Sequence, residues 1–240
     1  MGPHRGGILR PDAGASDRLR LTTRSAFEKL RSAAIQRALA PGDVVLPQDE
    51  PPLYALVLCK GLVKLAHQDD DGRDTVIATQ CAERPLGTSA LVAGVPYPYR
   101  VEAVTTCIVH AIGARTFQEC IACDVQFSRD LLVVHALDAL ETETLRTTDT
   151  RSARQRIVRL IGTIASIQGT SDGPLWVRVQ LPVTHESLAS LAGVTPETFS
   201  RTLVKMEHET LIERGRGWLR VRREPLDGCQ ELIRRVDVPV

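Results

Sequence analysis

Short apolar runs separated by turn residues fill the chain between Leu39 and about Ala114. They are rich in Val, Ile, Leu and Thr, and turns such as Ala40–Asp43 and Asp69–Gly72 break them. Many short strands at close spacing predict a small antiparallel barrel or roll, and the lack of a βαβ alternation argues against a doubly wound nucleotide-binding sheet. The predicted strands are Val44–Leu46, Tyr54–Cys59, Leu62–Ala66, Thr75–Thr79 and Val101–Ile112.

A helical pattern follows the strands. Residues Phe127–Arg146 contain no Gly or Pro and are rich in Leu, Ala and Glu, which predicts one long helix. Its middle, Leu131–Leu140, is apolar nearly all the way round, so it needs cover on more than one side. The roll can cover one side, and the same helix of a second subunit is the simplest cover for the other. A core helix of a monomer is the alternative. The residues predicted at the dimer interface are Leu131, Val134, His135 and Asp138.

Beyond a further helix over Ser152–Ile167, two short helices joined by a glycine turn are predicted. Thr184 can cap the first, and Gly193 supplies the turn. The second starts with a capping hydroxyl, a proline at the first helical position and an acid in the first turn, which are Thr195, Pro196 and Glu197. This is a helix-turn-helix arrangement. Two short apolar runs around Gly215–Gly217 predict a β-hairpin, or wing, behind it.

The second helix separates an apolar face from a polar face. The apolar stripe is Phe199, Leu203 and Met206, and the opposite side carries Glu197, Arg201, Lys205 and His208. An α-helix fits the major groove of DNA, where Arg can bind guanine through two hydrogen bonds and Glu can accept one from cytosine. The predicted base contacts are Glu197, Ser200 and Arg201. The other predicted DNA contacts are Thr184, Thr195, Pro196, Thr198 and Lys205. A solvated helix face with an ordinary Glu–Arg pair is the alternative.

Charge patterning favours the DNA-binding interpretation. The 240 residues are 43% hydrophobic and 25% charged, as in a soluble globular protein, and no apolar run is long enough to span a membrane. The net charge is only +1, so affinity for nucleic acid must come from local clustering. From Arg201 to Arg223 there are seven Lys or Arg against three Glu, a local charge of +4. This distribution is typical of a phosphate-binding surface.

The predicted domains are a disordered tail over 1–24, a β-roll sensor over 25–126, a dimerisation helix over 127–147 and a winged helix-turn-helix domain over 148–240. The first 24 residues include five arginines and lack the apolar core of a signal peptide. Six cysteines are too few for a disulfide scaffold and favour a reducing cytoplasm. No membrane association is expected.

The segment Thr184–Arg201 resembles the DNA-binding segment of the Crp/Fnr family of bacterial transcription regulators. Its Glu197-x-x-Ser200-Arg201 pattern resembles the Fnr branch, whose members read TTGAT-type half-sites. The resemblance implies an α+β fold with a cyclic-nucleotide-binding-type roll and no catalytic activity. It also implies a homodimer that binds a palindromic operator in double-stranded DNA under the control of an effector. The loops Asp69–Asp74 and Gly169–Pro174 look like the patches that contact RNA polymerase in family activators.

The resemblance also implies an effector pocket in the roll. The cyclic-nucleotide branch holds ribose and phosphate with a Gly-Glu pair followed by an Arg-Ser pair. Here Thr88 replaces the glutamate and Tyr97-Pro98 replaces the arginine pair, which argues against cyclic AMP because its phosphate would lose a charged partner. The residues assigned to the pocket are Gly87, Thr88, Ser89, Tyr97, Tyr99 and Arg100.

The effector remains open between an iron–sulfur cluster, a haem and a small molecule. No cysteine precedes Cys59, so the N-terminal cysteine group of the oxygen-sensing Fnr proteins is not matched. The candidate haem ligands are His67, His110 and His135, and no two of them have ligand spacing. Cys120 and Cys123 can hold a metal or form a redox pair, so the alternative function is a thiol or metal redox sensor, or an oxidoreductase. An interaction module that has lost DNA binding is a third class.

Overall fold

The computed structural model describes residues 13–148, 152–181 and 184–223. Two four-stranded antiparallel sheets form a roll in the first half of the chain, with strand orders β1-β8-β3-β6 and β2-β7-β4-β5. The strands are β1 (Ile35–Leu39), β2 (Val44–Leu46), β3 (Tyr54–Lys60), β4 (Leu62–Gln68), β5 (Asp74–Cys81), β6 (Arg84–Leu86), β7 (Arg100–Ala103) and β8 (Cys107–Gly113). The prediction of a roll is therefore confirmed.

One predicted strand is divided in the structure. The run Val101–Ile112 forms both β7 and β8, because the chain turns between them. The side chain of Thr105 fixes this turn, since its Oγ1 accepts a hydrogen bond from the backbone N of Leu62 at 2.9 Å. The apolar pattern did not reveal four strands, which are β1, β6, the two-residue β9 (Thr170–Ser171) and β10 (Trp176–Gln180). β6 and β9 are very short, and four of the five residues of β1 are exposed.

The helices of this half are α1 (Ala13–Glu28), α2 (Thr88–Ala93), α3 (Ala114–Cys123) and α4 (Val125–Thr148), and a 3-10 turn covers Arg31–Ala33. The long helix is predicted over 127–147 and observed as α4, which spans 24 residues. Asp124 begins it, because its Oδ1 accepts a hydrogen bond from the backbone N of Phe127 at 2.9 Å.

The first helix is the main departure from expectation. The predicted disordered tail over 1–24 is wrong from Ala13 onward, where α1 begins, and the residues before it lie outside those described. Leu19, Ala26 and Phe27 of α1 are buried, because the helix packs along α4. The sequence of α1 is mostly polar and rich in arginine, so its narrow apolar face is not evident from the pattern. Burial of that face depends on the contact with α4.

The second half is a winged helix-turn-helix. Its helices are α5 (Ala153–Gln168), α6 (His185–Leu191) and α7 (Pro196–His208), and β9 is joined by β10 (Trp176–Gln180), β11 (Ile212–Gly215) and β12 (Trp218–Arg222) in the sheet order β11-β12-β10-β9. The helix predicted over Ser152–Ile167 is confirmed as α5, and a capping box between Ser152 and Gln155 fixes its start. The wing is confirmed as the β11–β12 hairpin.

One apolar core joins the two halves. Its centre is the inner face of the winged half, made by α5, α6, α7 and the β11-β12-β10-β9 sheet, which we call the wing sheet. Leu62, at the start of β4, and Val104, after β7, belong to the same buried cluster, with 1% and 2% exposure. The roll and the winged domain are therefore in apolar contact.

Within the described residues, no helix combines the length and apolar character of a membrane span.

Candidate nucleic-acid interface

Local capping interactions define the two helices of the interface. Thr184 Oγ1 accepts a hydrogen bond from the backbone N of Ser187 at 3.2 Å, and Thr195 Oγ1 accepts one from the backbone N of Thr198 at 3.3 Å. Pro196 occupies the first turn of α7, where its missing N–H costs nothing. The predicted caps are confirmed, so Thr184 and Thr195 stabilise the helix starts while their side chains stay on the surface.

The turn between the helices is held from a third helix. Gly193 has φ +62°, a left-handed conformation that suits glycine. Arg156 on α5 donates from Nε to the Ala192 carbonyl oxygen at 3.0 Å and from Nη2 to the Gly193 carbonyl oxygen at 3.1 Å. It thereby satisfies carbonyls at the end of α6 and fixes the angle at which α7 leaves the turn. Sequence reasoning missed Arg156, since nothing local links residues 36 positions apart.

The two faces of α7 are those predicted. Phe199, Leu203 and Met206 are buried in the core of the domain, with exposures of 1%, 2% and 0%. The residues exposed on the outer side are Glu197, Ser200, Arg201, Val204, Lys205 and His208. The three predicted base contacts therefore share one accessible face near the N-terminal end of the helix. Thr198 is half-buried, and its Oγ1 lies 3.1 Å from Oγ1 of Thr195.

Basic side chains on this surface differ in how they are engaged. In the wing, Arg214 and Arg220 form ion pairs with Glu207 and Glu213 at 2.9 and 3.0 Å. Among the described residues, no ion pair within 4.0 Å engages Arg201, Lys205 or Arg216. These three cations are available to phosphates or base edges.

The acidic residue of the predicted reading face is held ionised. Hydrogen bonds from its own backbone N–H and from the Thr195 side chain, followed by the positive charge of Arg201, lower the pKa of Glu197. An ionised carboxylate accepts hydrogen bonds only. Glu197 therefore suits an exocyclic amino group and repels a phosphate.

The residues assigned to the effector pocket lie together, but several of them are packed as core. Thr88 and Tyr97 are 2% and 3% exposed, and the Tyr97 hydroxyl donates to the Tyr54 carbonyl oxygen at 2.9 Å. A Cβ on Gly87 would approach the Tyr97 ring to 2.8 Å, so the glycine is needed for this packing. Arg100 is paired with Asp74 and Glu102, which neutralise the one cation in the set.

The other part of this region contacts α4. The Ser89 hydroxyl lies 3.4 Å from Nδ1 of His135, and Arg84 donates to Asp138 at 2.7 Å. Burial lowers the pKa of His135, and among the described residues its buried Nε2 has no hydrogen-bond partner. Burial, followed by the carboxylate of Asp138, raises the pKa of Tyr99. These contacts tie α2 and the roll to the long helix.

Cys120, the first of the two paired cysteines, lies in an environment that does not activate its thiol. Cys120 is partly buried and Cys123 is exposed near the end of α3. Burial, and then the negative charge of Asp124, raise the pKa of Cys120. Redox and metal-binding cysteines act as thiolates, which a raised pKa disfavours. In the described part of the chain, no group of three or more His, Cys, Asp and Glu is arranged to hold a metal ion.

A second exposed surface runs along α4. The residues predicted for the dimer interface face their own protomer: Leu131 and Val134 are 5% and 0% exposed, Asp138 is paired with Arg84, and His135 faces Ser89. Exposed apolar side chains opposite Val134 repeat at heptad-like spacing and are Val125, Leu132, Ala136, Ala139 and Leu140, while the same face also carries the exposed Arg129 and Glu143. Leu132 is 70% exposed and Leu140 is 59% exposed. We call this set the α4 seam. It is the side of the helix that the protomer leaves uncovered, because α1 and the roll occupy the other side.

Comparisons with known proteins agree with this domain order. The model of the cyclic nucleotide-binding domain matches residues 36–124, and that of the Crp-like helix-turn-helix domain matches residues 155–226. A CRP-like cAMP-activated global transcriptional regulator of Mycobacterium tuberculosis is 26% identical over 200 residues, which cover 79% of this chain and 84% of that protein.

Solved structures share the fold at low identity. FixK2 from Bradyrhizobium japonicum has a TM-score of 0.61 at 20% identity, covering 86% of this chain and 98% of its own. A CRP-family transcriptional regulator from Thermus thermophilus has a TM-score of 0.60 at 23% identity, covering 84% and 97%. With both domain models matched in the observed order, the chain belongs to the Crp/Fnr family of DNA-binding transcription regulators.

Proposed function

We propose that the chain acts as a homodimer that reads a palindromic, TTGAT-like operator, and that an effector bound to the sensor half sets its affinity for DNA. The observation that carries the proposal is the outer face of α7, where Glu197, Ser200 and Arg201 are exposed together. The core side of the same helix is fully buried, so the helix is rigidly presented.

The reading face supports a division of roles. Arg201 can bind the O6 and N7 atoms of the guanine in the half-site through two hydrogen bonds. Glu197 can accept a hydrogen bond from the amino group of a cytosine on the other strand, and Ser200 can bind a base or a phosphate. Lys205 lies two turns beyond the start of α7, where a phosphate contact is favoured.

The α4 seam supports the dimer. Two copies of the seam packed against each other would cover Leu132 and Leu140, and a two-fold axis along the pair would present two α7 helices to DNA. Recognition helices of such dimers bind half-sites whose centres lie about 34–36 Å apart, which requires successive major grooves on one side of the duplex.

Contacts of the roll with α4 support effector gating. A ligand shifts a conformational equilibrium only through a difference in affinity between the two states, so its site must be coupled to the element that moves. Ser89 and Arg84 already contact His135 and Asp138 on α4. Because Arg100 is neutralised by two carboxylates, we propose an effector other than cyclic AMP.

We also propose the exposed Asp69–Asp74 and Gly169–Pro174 loops as contacts with RNA polymerase.

The test is a paired measurement of operator binding by fluorescence anisotropy. Arg201→Ala is expected to weaken binding to the palindrome by about 1–3 kcal/mol per half-site, and to relax specificity at one base pair, because a bidentate base contact is lost. Lys205→Ala on the same helix is the matched control, and it should weaken all duplexes alike.

Salt dependence separates the two roles further. Removing a phosphate contact should lower the slope of log affinity against log salt by about one for each half-site, whereas removing a base contact should leave that slope unchanged. Equal, sequence-independent losses from both variants would refute the assignment of Arg201 as a base-reading residue. A wild-type affinity that does not fall with added salt would refute DNA binding by this surface.

A further inference from the structure

We infer that the cleft between α1 and the β1-β8-β3-β6 sheet is a binding site for a small organic acid, a carboxylate attached to an apolar ring or short alkyl chain. The cleft encloses about 270 Å³ and lies on the outer side of the roll, apart from the Gly87–Arg100 region. The inference that a bound acid acts as an effector rests on the proposed function, in which an effector sets the affinity for DNA. The inference that the cleft binds an acid does not depend on that function.

The floor of the cleft selects for an apolar body. It is formed by Phe27 of α1 and by Val57 and Ile112 of the sheet, all of which are buried and belong to one apolar cluster. Ligand pockets are mostly apolar with a few fixed polar groups, and those for drug-sized ligands have volumes of about 300–1,000 Å³. A cleft at the lower edge of that range fits one aromatic ring or a short chain.

The rim offers a carboxylate one loosely paired cation, Arg24, which lies beside the acids Glu28 and Glu83. Arg24 has a side chain 72% exposed, and its nearest acid is Glu83, with 3.9 Å between Nη1 and Oε1. That distance exceeds a hydrogen bond, so the planar guanidinium keeps donors for an incoming carboxylate. Arg31, at the same rim, contacts Glu28 at 3.2 Å, and Nε2 of His110 lies 3.4 Å from Oε1 of Gln36. An acid could therefore bind Arg24 without breaking an existing hydrogen bond between Arg24 and Glu83.

The cysteine in the cleft wall is not activated for thiol chemistry. Cys59 lies in the cleft wall, and burial raises the pKa of its thiol. A protonated thiol is a poor nucleophile and a poor ligand for soft metals. The cleft thus favours reversible, non-covalent binding.

The floor of the cleft is directly connected to the long helix. The Phe27 ring stacks on Phe117 of α3 with ring centroids 6.2 Å apart, and meets the edge of Phe127 at 5.9 Å. Phe127 belongs to the first turn of α4, and α1 packs along α4. A ligand that contacts Phe27 is therefore separated from α4, the helix with the α4 seam, by a single side chain.

Calorimetric titration of the full-length protein tests the site. Phenylacetate and octanoate are the probes, and 2-phenylethanol is the uncharged control. At least one acid should bind, the alcohol should bind at least tenfold more weakly, and Arg24→Gln should weaken acid binding by about 10- to 100-fold. Arg115→Gln, an exposed arginine on α3 outside the cleft, is the matched control and should bind like wild type.

Operator affinity measured with and without the bound acid separates the two levels of the proposal. A change in operator affinity that Arg24→Gln abolishes supports an effector site. Acid binding that depends on Arg24 but leaves operator affinity unchanged overturns the effector role and keeps the site. If neither acid binds, or if Arg24→Gln binds as well as wild type, the site is overturned. In that case operator reading through Arg201 is untouched.

Discussion

Replacing Leu132 and Leu140 together by glutamate should convert the proposed dimer into monomers and lower affinity for a two-half-site operator by about 100-fold or more. Both leucines lie on the α4 seam, 70% and 59% exposed in the protomer. In a symmetric dimer the double variant would place four carboxylates in one apolar interface, where burying an unpaired charge is strongly unfavourable. Loss of the second α7 then removes the effective-concentration advantage of binding both half-sites.

Sedimentation velocity and operator titration check this result together. Ile35→Glu is the control, because Ile35 is 66% exposed on β1 and does not lie on the α4 seam. It should leave both the mass and the operator affinity at wild-type values. A double variant that still sediments as a dimer with full operator affinity would contradict the assignment of the seam.

Phe199→Ala should lower the free energy of unfolding of the winged domain by about 3–5 kcal/mol. Phe199 is 1% exposed and belongs to the core cluster that holds α5, α6 and the wing sheet together. Removing its ring leaves a cavity in addition to the lost burial, and the angle between α7 and the rest of the domain loses its main support. Operator affinity should fall as well, although Phe199 does not face the proposed DNA surface.

Urea unfolding followed by tryptophan fluorescence measures this change locally. The two tryptophans of the chain, Trp176 and Trp218, lie on paired strands of the wing sheet and so report on this domain. Val204→Ala on the same helix is the matched control, since Val204 is 39% exposed and should cost less than about 1 kcal/mol. An unfolding midpoint for Phe199→Ala equal to that of Val204→Ala would show that Phe199 is not a core residue.

The helix-turn-helix was predictable because its signals are local. Thr195 and Pro196 mark the start of α7 within two residues, and the spacing of Phe199, Leu203 and Met206 assigns its inner face without reference to the rest of the fold. Glycines and alternating apolar residues likewise predicted the wing and most strands of the roll. Each of these cues lies within a few neighbouring residues, so it can be recognised from the sequence alone.

The side of α4 that stays exposed, to which we assign the proposed dimer contact, was not predictable, because the middle of the helix is apolar nearly all the way round. Periodicity can select an inner face only where another face is polar. The choice depends on α1, which covers one side of α4 and whose polar composition gave no apolar signal of its own. The clamp from Arg156 to the α6–α7 turn escapes prediction for the related reason that it joins distant positions.

Leu62 and Val104 of the roll are buried in the core of the winged domain, so separating the two domains costs free energy. Pulling the domains apart would expose both side chains to water, at roughly 1.5–3 kcal/mol for each one fully exposed. The roll and the winged domain should therefore melt in a coupled transition. Since apolar association weakens on cooling, that coupling should be loosest in the cold.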